Sequence, residues 1–208
     1  MVTPLYTTED YREALAMIMG DASRKRTAVV AYVGADAADL LPNPKGCSVI
    51  CWPQPGGTNP DGIRSLRQAG AKVSFCDRMH AKVFWCEGVG LILGSANLSL
   101  NALGDRALVE AGVILDESEF DIGRFLSQLN PRDITQSEMD ELDRAHRHFE
   151  LLNVPLAERK KGRMKERTFL EWHTLPLRPS WKMAPYSGRL IRRSGEVCPD
   201  LWKWPRTQ

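Results

Sequence analysis

Residues 80–97 read HAKVFWCEGVGLILGSAN, and their pattern sets the frame for the whole chain. The segment from His80 to Trp85 and the run Leu91 to Leu93 each predict a strand, joined by a turn, and the small residues Gly94, Ser95 and Ala96 open a loop. Side chains alternate along a strand, so His80 and Lys82 project from one face a few ångströms apart. An imidazole beside an ammonium pairs a nucleophile that titrates near neutrality with a lasting positive charge, and this combination suits attack on a phosphate ester. Ser95 and Asn97 follow the second apolar run, where they return to the same pocket as hydrogen-bond donors for phosphate oxygens.

His80, Lys82, Gly94 and Ser95 stand at the spacing H-x-K-x4-D-x6-G-S, with Asn97 as a GSxN continuation. In this the stretch resembles the signature of the phospholipase D superfamily. One position departs, since Glu87 stands where the family usually has Asp. Glu87 is an odd number of residues from His80, so on an unbroken strand it faces away from the pair and reads as a structural carboxylate at a strand end. The resemblance extends to Glu110 in ALVEAGVIL, matching a family carboxylate that follows the GSxN loop on the next strand and pairs with the catalytic His. An attacking imidazole needs one ring nitrogen held by an acceptor so that the other is aimed. The neighbours Ala107, Leu108, Val109, Ala111, Val113, Ile114 and Leu115 are nearly all apolar, which predicts a strand over 107–115 buried on both faces. A carboxylate inside such a run needs a partner.

Periodicity elsewhere alternates between helix and strand. Thr8 opens a helix with Tyr11, Leu15, Ile18 and Met19 on its apolar stripe. A strand over 27–33, a short Ala-rich helix to Leu41, a strand over 47–52, a turn-rich loop over 53–62, a helix over 63–69 and a strand over 72–75 follow. Asp116 and Glu119 suit a capped helix start, with Phe120, Phe125, Leu126 and Leu129 facing inward. Thr135 and Glu138 open a last helix striped by Met139, Leu142, Ala145, Phe149 and Leu152. The expected fold class is α/β: a mixed, largely parallel sheet flanked by helices, with an irregular basic C-terminal extension. The expected divisions are a catalytic domain over 1–130, an amphipathic helix packed on it over 131–153, and a tail over 154–208.

The 208 residues carry a formal net charge of only +2, unevenly spread. Residues 155–208 hold 13 of the 28 Lys and Arg but 5 of the 26 Asp and Glu, which fits a segment that binds a polyanion or a partner. Four of the six Trp, at 172, 181, 202 and 204, lie there among Arg and Pro. They suit stacking on bases, stapling the tail to its own domain, or contact with a second protein. The run Arg159 to Arg167 reads as a solvated helix face or a nucleic-acid contact.

The start, MVTPLYTTED, lacks the features of a secretory signal, and no apolar run of about 18 residues offers a membrane span. Cys47, Cys51, Cys76 and Cys86 lie in or beside apolar runs, as reduced core thiols of a cytoplasmic protein would. A metal site built from Cys76, Cys86 and a His is the rival reading of these thiols, and it has no CxxC pair to support it.

Family chemistry uses two HxK motifs, one His attacking phosphorus and the other protonating the leaving oxygen. This chain has one: His146 and His148 form an HxH, and His173 has no Lys two residues on. Single-motif members pair two chains, so the resemblance implies a homodimer bringing His80 and Lys82 of each subunit into one pocket. Phe84, Leu98 and Leu100 offer apolar surface for that contact. The implied enzyme is a phosphodiesterase that needs no metal or other cofactor, with Lys82 and Asn97 supplying the positive field. Short single-motif members are typically nucleases, which makes DNA or RNA the expected substrate and a defence or restriction role an implication of resemblance. A lipid phosphodiesterase and a degenerate binding module are the alternatives.

Overall fold

Both Arg26–Val30 and Lys82–Cys86 are buried along their whole length, because they pair in the middle of a sheet covered on both faces. The computed structural model describes residues 2–153, together with Trp181–Met183 and Leu190–Arg192. In chain order the elements are β1 (Thr3–Leu5), α1 (Thr8–Met19), β2 (Arg26–Val30), α2 (Ala37–Leu40), β3 (Ser48–Cys51), α3 (Pro60–Gln68), β4 (Lys72–Phe75) and β5 (Lys82–Cys86). There follow β6 (Gly90–Gly94), α4 (Leu100–Leu103), β7 (Gly112–Leu115), α5 (Ile122–Ser127), β8 (Arg132–Asp133) and α6 (Gln136–Asn153).

Eight strands form one sheet in the order β1-β7-β6-β5-β2-β3-β4-β8. The sheet is mixed and flanked by helices, as expected, but its balance is not largely parallel. Only β2–β3 and β3–β4 run parallel, while the other five pairings are antiparallel. The β5–β6 hairpin is the cause: it enters beside β2 without a crossover helix, so its strands and everything paired beyond them alternate in direction.

Alternation sorts the strand residues into two layers. Ala28, Val30, Val49, Cys51, Phe84 and Ile92 pack with Tyr11, Leu15, Ile18 and Met19 of α1 and with Ile63 and Leu66 of α3. On the other face Val29, Ile50, Val83, Trp85 and Leu91 pack against Phe120, Phe125, Leu126 and Leu129. Cys86 belongs to the first layer and Cys76 to the second, so the sheet separates the two thiols that a Cys76–Cys86 metal site would require. Cys47, Cys51, Cys76 and Cys86 are free and buried, and burial pushes the Cys51 thiol up to about 12.

Local chemistry explains several boundaries. Thr7 caps α1 in a reciprocal box with Asp10, each side chain accepting the other's backbone N–H at 3.1 and 3.0 Å. Asn59 caps α3 and Pro60 fills its first position, so the loop expected to reach Gly62 ends earlier. The helix expected from Asp116 starts at Ile122 instead, where the Asp121 side chain accepts the Arg124 N–H at 2.8 Å. The strand expected over 107–115 forms only at Gly112–Leu115. Its neighbour β6 ends at Gly94, which pairs with Gly112, and β1 ends at the same residue, so earlier residues have no ladder to join. Leu108 and Val109 are consequently 68% and 95% exposed.

Arg26 is buried with no carboxylate partner among the described residues. Its guanidinium donates to the carbonyls of Met19, Asn43, Pro42 and Lys45 at 2.7 to 3.2 Å, tying the end of α1 to the loop before β3.

The chain divides into two compact units, 1–154 and 155–208. In the second, Trp181–Met183 (β9) and Leu190–Arg192 (β10) pair antiparallel, so the extension is not wholly irregular. The run Arg159 to Arg167, His173, Trp172, Trp202 and Trp204 lie outside the described residues, as does the side chain of Leu152.

Candidate active site

The carboxyl ends of β2 and β3, the start of β5 and the end of β6 meet at one edge of the sheet. His80 is two residues ahead of Lys82, which opens β5 opposite Val30. The turn delivering His80 is fixed from several sides. Met79 is buried in the second layer, Arg78 takes a left-handed φ of 59°, and Asp77 is held by Arg132 of β8 at 2.9 Å. Arg132 also binds Glu138, and the Thr135 N–H, that guanidinium and the Thr135 hydroxyl together pull this carboxyl down to about 2. A non-glycine residue at φ 59° is uncommon, and here it lies immediately before the site.

His80 is exposed, whereas Lys82 is only 7% exposed. The Lys82 Nζ lies 3.2 Å from His80 Nδ1, 3.3 Å from Nε2 and 3.1 Å from the His80 carbonyl. Burial lowers the Lys82 pKa from its ordinary value, and Glu110 pulls in the other direction by favouring the ammonium. The site therefore holds a cation away from water, aimed at an imidazole that water can reach.

Glu110 sits on the loop before β7. The Ser95 hydroxyl donates to its Oε2, and Ser95 Oγ accepts the Ala111 N–H at 3.0 Å. Among the described residues Ser95, not His80, is the hydrogen-bond partner of Glu110, and Glu110 reaches Lys82 through its charge. With the Ser95 hydroxyl donating to Glu110, the donor role expected for it toward a phosphate would require that bond to exchange. Asn97 Oδ1 accepts the Tyr32 N–H at 3.0 Å, which orients the amide and leaves its NH2 as a donor without a partner among the described residues.

Glu87 is exposed at the far end of β5, in the turn, and contributes backbone contacts to Lys25 and Arg24. The carboxylate that ties this hairpin is Glu117, which accepts the Trp85 indole N–H at 2.8 Å and the Gly88 N–H at 3.1 Å. Its spacing from the motif made it invisible to sequence reading.

Tyr11 is a second residue that sequence reading assigned only to the core. Its hydroxyl is buried beneath the Gly94-Ser95-Ala96 loop with no well-formed hydrogen bond. Burial raises its pKa to about 12, the Ala96 N–H opposes that shift, and Glu110 adds to it. A Cβ on Gly94 would lie 2.4 Å from that hydroxyl and 2.7 Å from the Ala111 carbonyl, so only glycine fits.

Three aromatic rings stand in a row at this edge. Tyr32 meets the His80 ring edge-on, with centroids 5.8 Å apart, and stacks beside Trp52 at 6.2 Å and 24°. Tyr32 also donates from its hydroxyl to Gln54 at 2.9 Å.

Of the apolar residues expected to form a dimer face, Phe84 and Leu98 are fully buried and belong to the core. Both point inward because their strand and loop positions share the α1–α3 side of the sheet. Leu100 remains 53% exposed, and the exposed apolar neighbours are Leu108 and Val109. Among the described residues no cluster of three or more His, Cys, Asp or Glu converges as a metal site, and no helix is long and apolar enough to cross a membrane.

The coupling of Glu110 to Lys82 gives a first expected result. Glu110→Gln removes the negative charge that favours the ammonium, so Lys82 should lose its proton at lower pH. The alkaline limb of the pH–rate profile should then move toward neutrality, and a limb that stays in place would separate Glu110 from Lys82.

No family model matches the chain, and no curated protein sequence matches it. Similar solved structures include Nuc from Salmonella typhimurium, described as a phospholipase D family member. It is 17% identical, with a TM-score of 0.47, over 64% of this chain and 99% of that one. NucT from Helicobacter pylori is 20% identical, with a TM-score of 0.45, over 62% of this chain and 92% of that one. Identities this low make the resemblance to the phospholipase D superfamily a matter of the residues His80, Lys82, Gly94, Ser95 and Asn97.

Proposed function

We propose that the protein is a metal-independent phosphodiesterase of the phospholipase D type, acting on nucleic acid as a homodimer. The observation that carries the proposal is the buried Lys82 ammonium set against both ring nitrogens of an exposed His80, beside the Ser95–Asn97 loop.

In this reading a His80 ring nitrogen attacks phosphorus and forms a P–N bond as the P–O bond to the leaving group breaks. The protonated His80 of the second subunit passes its proton to the departing oxygen. That histidine then removes a proton from water, whose oxygen attacks phosphorus, and the P–N bond breaks to restore His80. Lys82 and the Asn97 NH2 offset the charge that builds on the phosphoryl oxygens. Glu110 keeps Lys82 protonated and holds the loop through Ser95.

The exposed Leu100, Leu108 and Val109 supply the subunit contact in place of Phe84 and Leu98, since Leu108 and Val109 directly precede Glu110 and the Leu108 N–H is bonded to Asn101, next to Leu100. The basic segment 155–208 adds phosphate contacts or engages a partner protein. A cytoplasmic location and a role in defence or restriction belong to the same proposal and rest on the thiols and the resemblance.

Incubation of the purified protein with single- and double-stranded DNA and RNA in EDTA tests the chemistry, and cleavage of at least one is expected. Mixing wild-type with excess His80→Ala chains tests the dimer, since mixed dimers lack one of the two histidines and total activity should fall well below the wild-type share. A monomer in sedimentation that cleaves at full rate would overturn the dimer. Turnover confined to phospholipids would replace the nucleic-acid reading with the lipid one.

A further inference from the structure

We infer that Trp52, backed by Tyr32, is a stacking platform for the nucleobase next to the scissile phosphate, so that the substrate strand is unpaired at the site. The inference rests on the nucleic-acid reading above and specifies its substrate.

The two rings are not explained by the chemistry at phosphorus. Phosphodiester cleavage needs the imidazole, the ammonium and donors, whereas Tyr32 and Trp52 add flat apolar surface leading away from the imidazole. Both side chains are half-buried at the sheet edge instead of closed in the core. The Trp52 indole N–H has no hydrogen-bond partner among the described residues, while the Tyr32 hydroxyl is satisfied by Gln54. A half-buried indole with an unused donor, next to a phosphate-reactive group, suits a ring-bearing ligand with acceptors on its edge.

The segment that carries the platform is tied down before anything binds. The Trp52 backbone N–H donates to the Ala31 carbonyl at 3.1 Å, and the Trp52 carbonyl accepts from the buried Thr58 hydroxyl at 2.6 Å and from the Gln54 backbone N–H at 2.8 Å. Gly57 is seated on the Tyr32 ring so closely that a Cβ there would come within 2.5 Å of it. A platform whose backbone is fixed at Trp52 and whose backing ring is held at Tyr32 loses little freedom when a base stacks on it.

Stacking on a protein ring takes the base out of its own helix. A base within a duplex has both faces covered, so the platform favours a single strand, a loop or an end. Stacking tolerates every base, so no strong sequence preference follows from it.

The test compares cleavage of a single-stranded oligonucleotide, the same strand with abasic sites flanking the scissile phosphate, and the same sequence in a duplex. Wild type should cut the intact single strand fastest. In Trp52→Leu, which keeps apolar volume, the preference for intact over abasic strand should fall by about 10-fold or more. Trp52→Phe should retain most of that preference. Quenching of 2-aminopurine placed beside the scissile phosphate reports stacking directly in the inactive His80→Ala protein, and it should weaken when Trp52→Leu is added. An unchanged intact-to-abasic ratio in a folded Trp52→Leu protein, or equal cutting of duplex and single strand by wild type, would overturn the inference. Failure of wild type to cut any of the three in EDTA would instead overturn the nucleic-acid reading beneath it.

Discussion

His80→Ala is expected to lower phosphodiester cleavage by about 10^4-fold or more, because in the proposed mechanism His80 is the covalent nucleophile and its removal takes away the reaction's first bond rather than one contribution to it. The fold should not share that loss. His80 is exposed, and the turn that presents it is held by Met79, Asp77 and Arg132 instead. A thermal unfolding midpoint unchanged from wild type, alongside lost turnover, would place the defect in the chemistry. Trapping the reaction with labelled substrate adds a second readout, since wild type should carry acid-labile, alkali-stable phosphate and His80→Ala none. Cleavage by His80→Ala at more than about one hundredth of the wild-type rate would require another nucleophile.

Gly94→Ala carries the second large effect, this time on stability as well as on the site. The new methyl would meet the Tyr11 hydroxyl at 2.4 Å, the Ala111 carbonyl at 2.7 Å and the Gly112 Cα at 2.9 Å. None of these is the loose end of a side chain. Tyr11 is fully buried in the face of α1, and the Ala111 carbonyl accepts the Ser95 N–H at 3.0 Å. Overpacking against such neighbours costs about 3 kcal/mol, and relief by moving the loop would break the Ser95–Glu110 contact. Chemical denaturation should show the loss. Adding Tyr11→Phe removes the closest of the three atoms and should recover part of it. A Gly94→Ala protein as stable as wild type would mean that this loop packs less tightly than described.

The residues that proved legible in sequence are those whose constraint is local. Tyr11, Leu15, Ile18 and Met19 repeat at helical spacing and are all buried. His80 and Lys82 come within 3.3 Å as expected, although the strand begins only at Lys82 and His80 sits in the turn before it. What escaped depends on partners distant in the chain. The apolar run 107–115 reads as one long strand, yet its start is set by where β6 and β1 end, and nothing in the run records that. Edge strands of two or three residues, β1 and β8, are too short to carry a period. Glu110 was found through resemblance, but its bond to Ser95 depends on the loop path that the shortened β7 creates. Tyr32 and Trp52 approach His80 only because β2 and β3 deliver them to the same end of the sheet, and Phe84 is withheld from any dimer contact because α1 covers its face of the sheet.

The carbonyl cage around Arg26 bears on how the protein meets changes of pH. A surface ion pair such as Arg12–Asp105 depends on the charge of both partners, whereas the carbonyl oxygens around Arg26 are neutral acceptors that carry no ionisable proton. The knot between the end of α1 and the loop before β3 is therefore indifferent to acidity. What joins the end of α1 to the loop before β3 is thus a set of neutral acceptors around one cation, at the opposite end of β5 from Lys82.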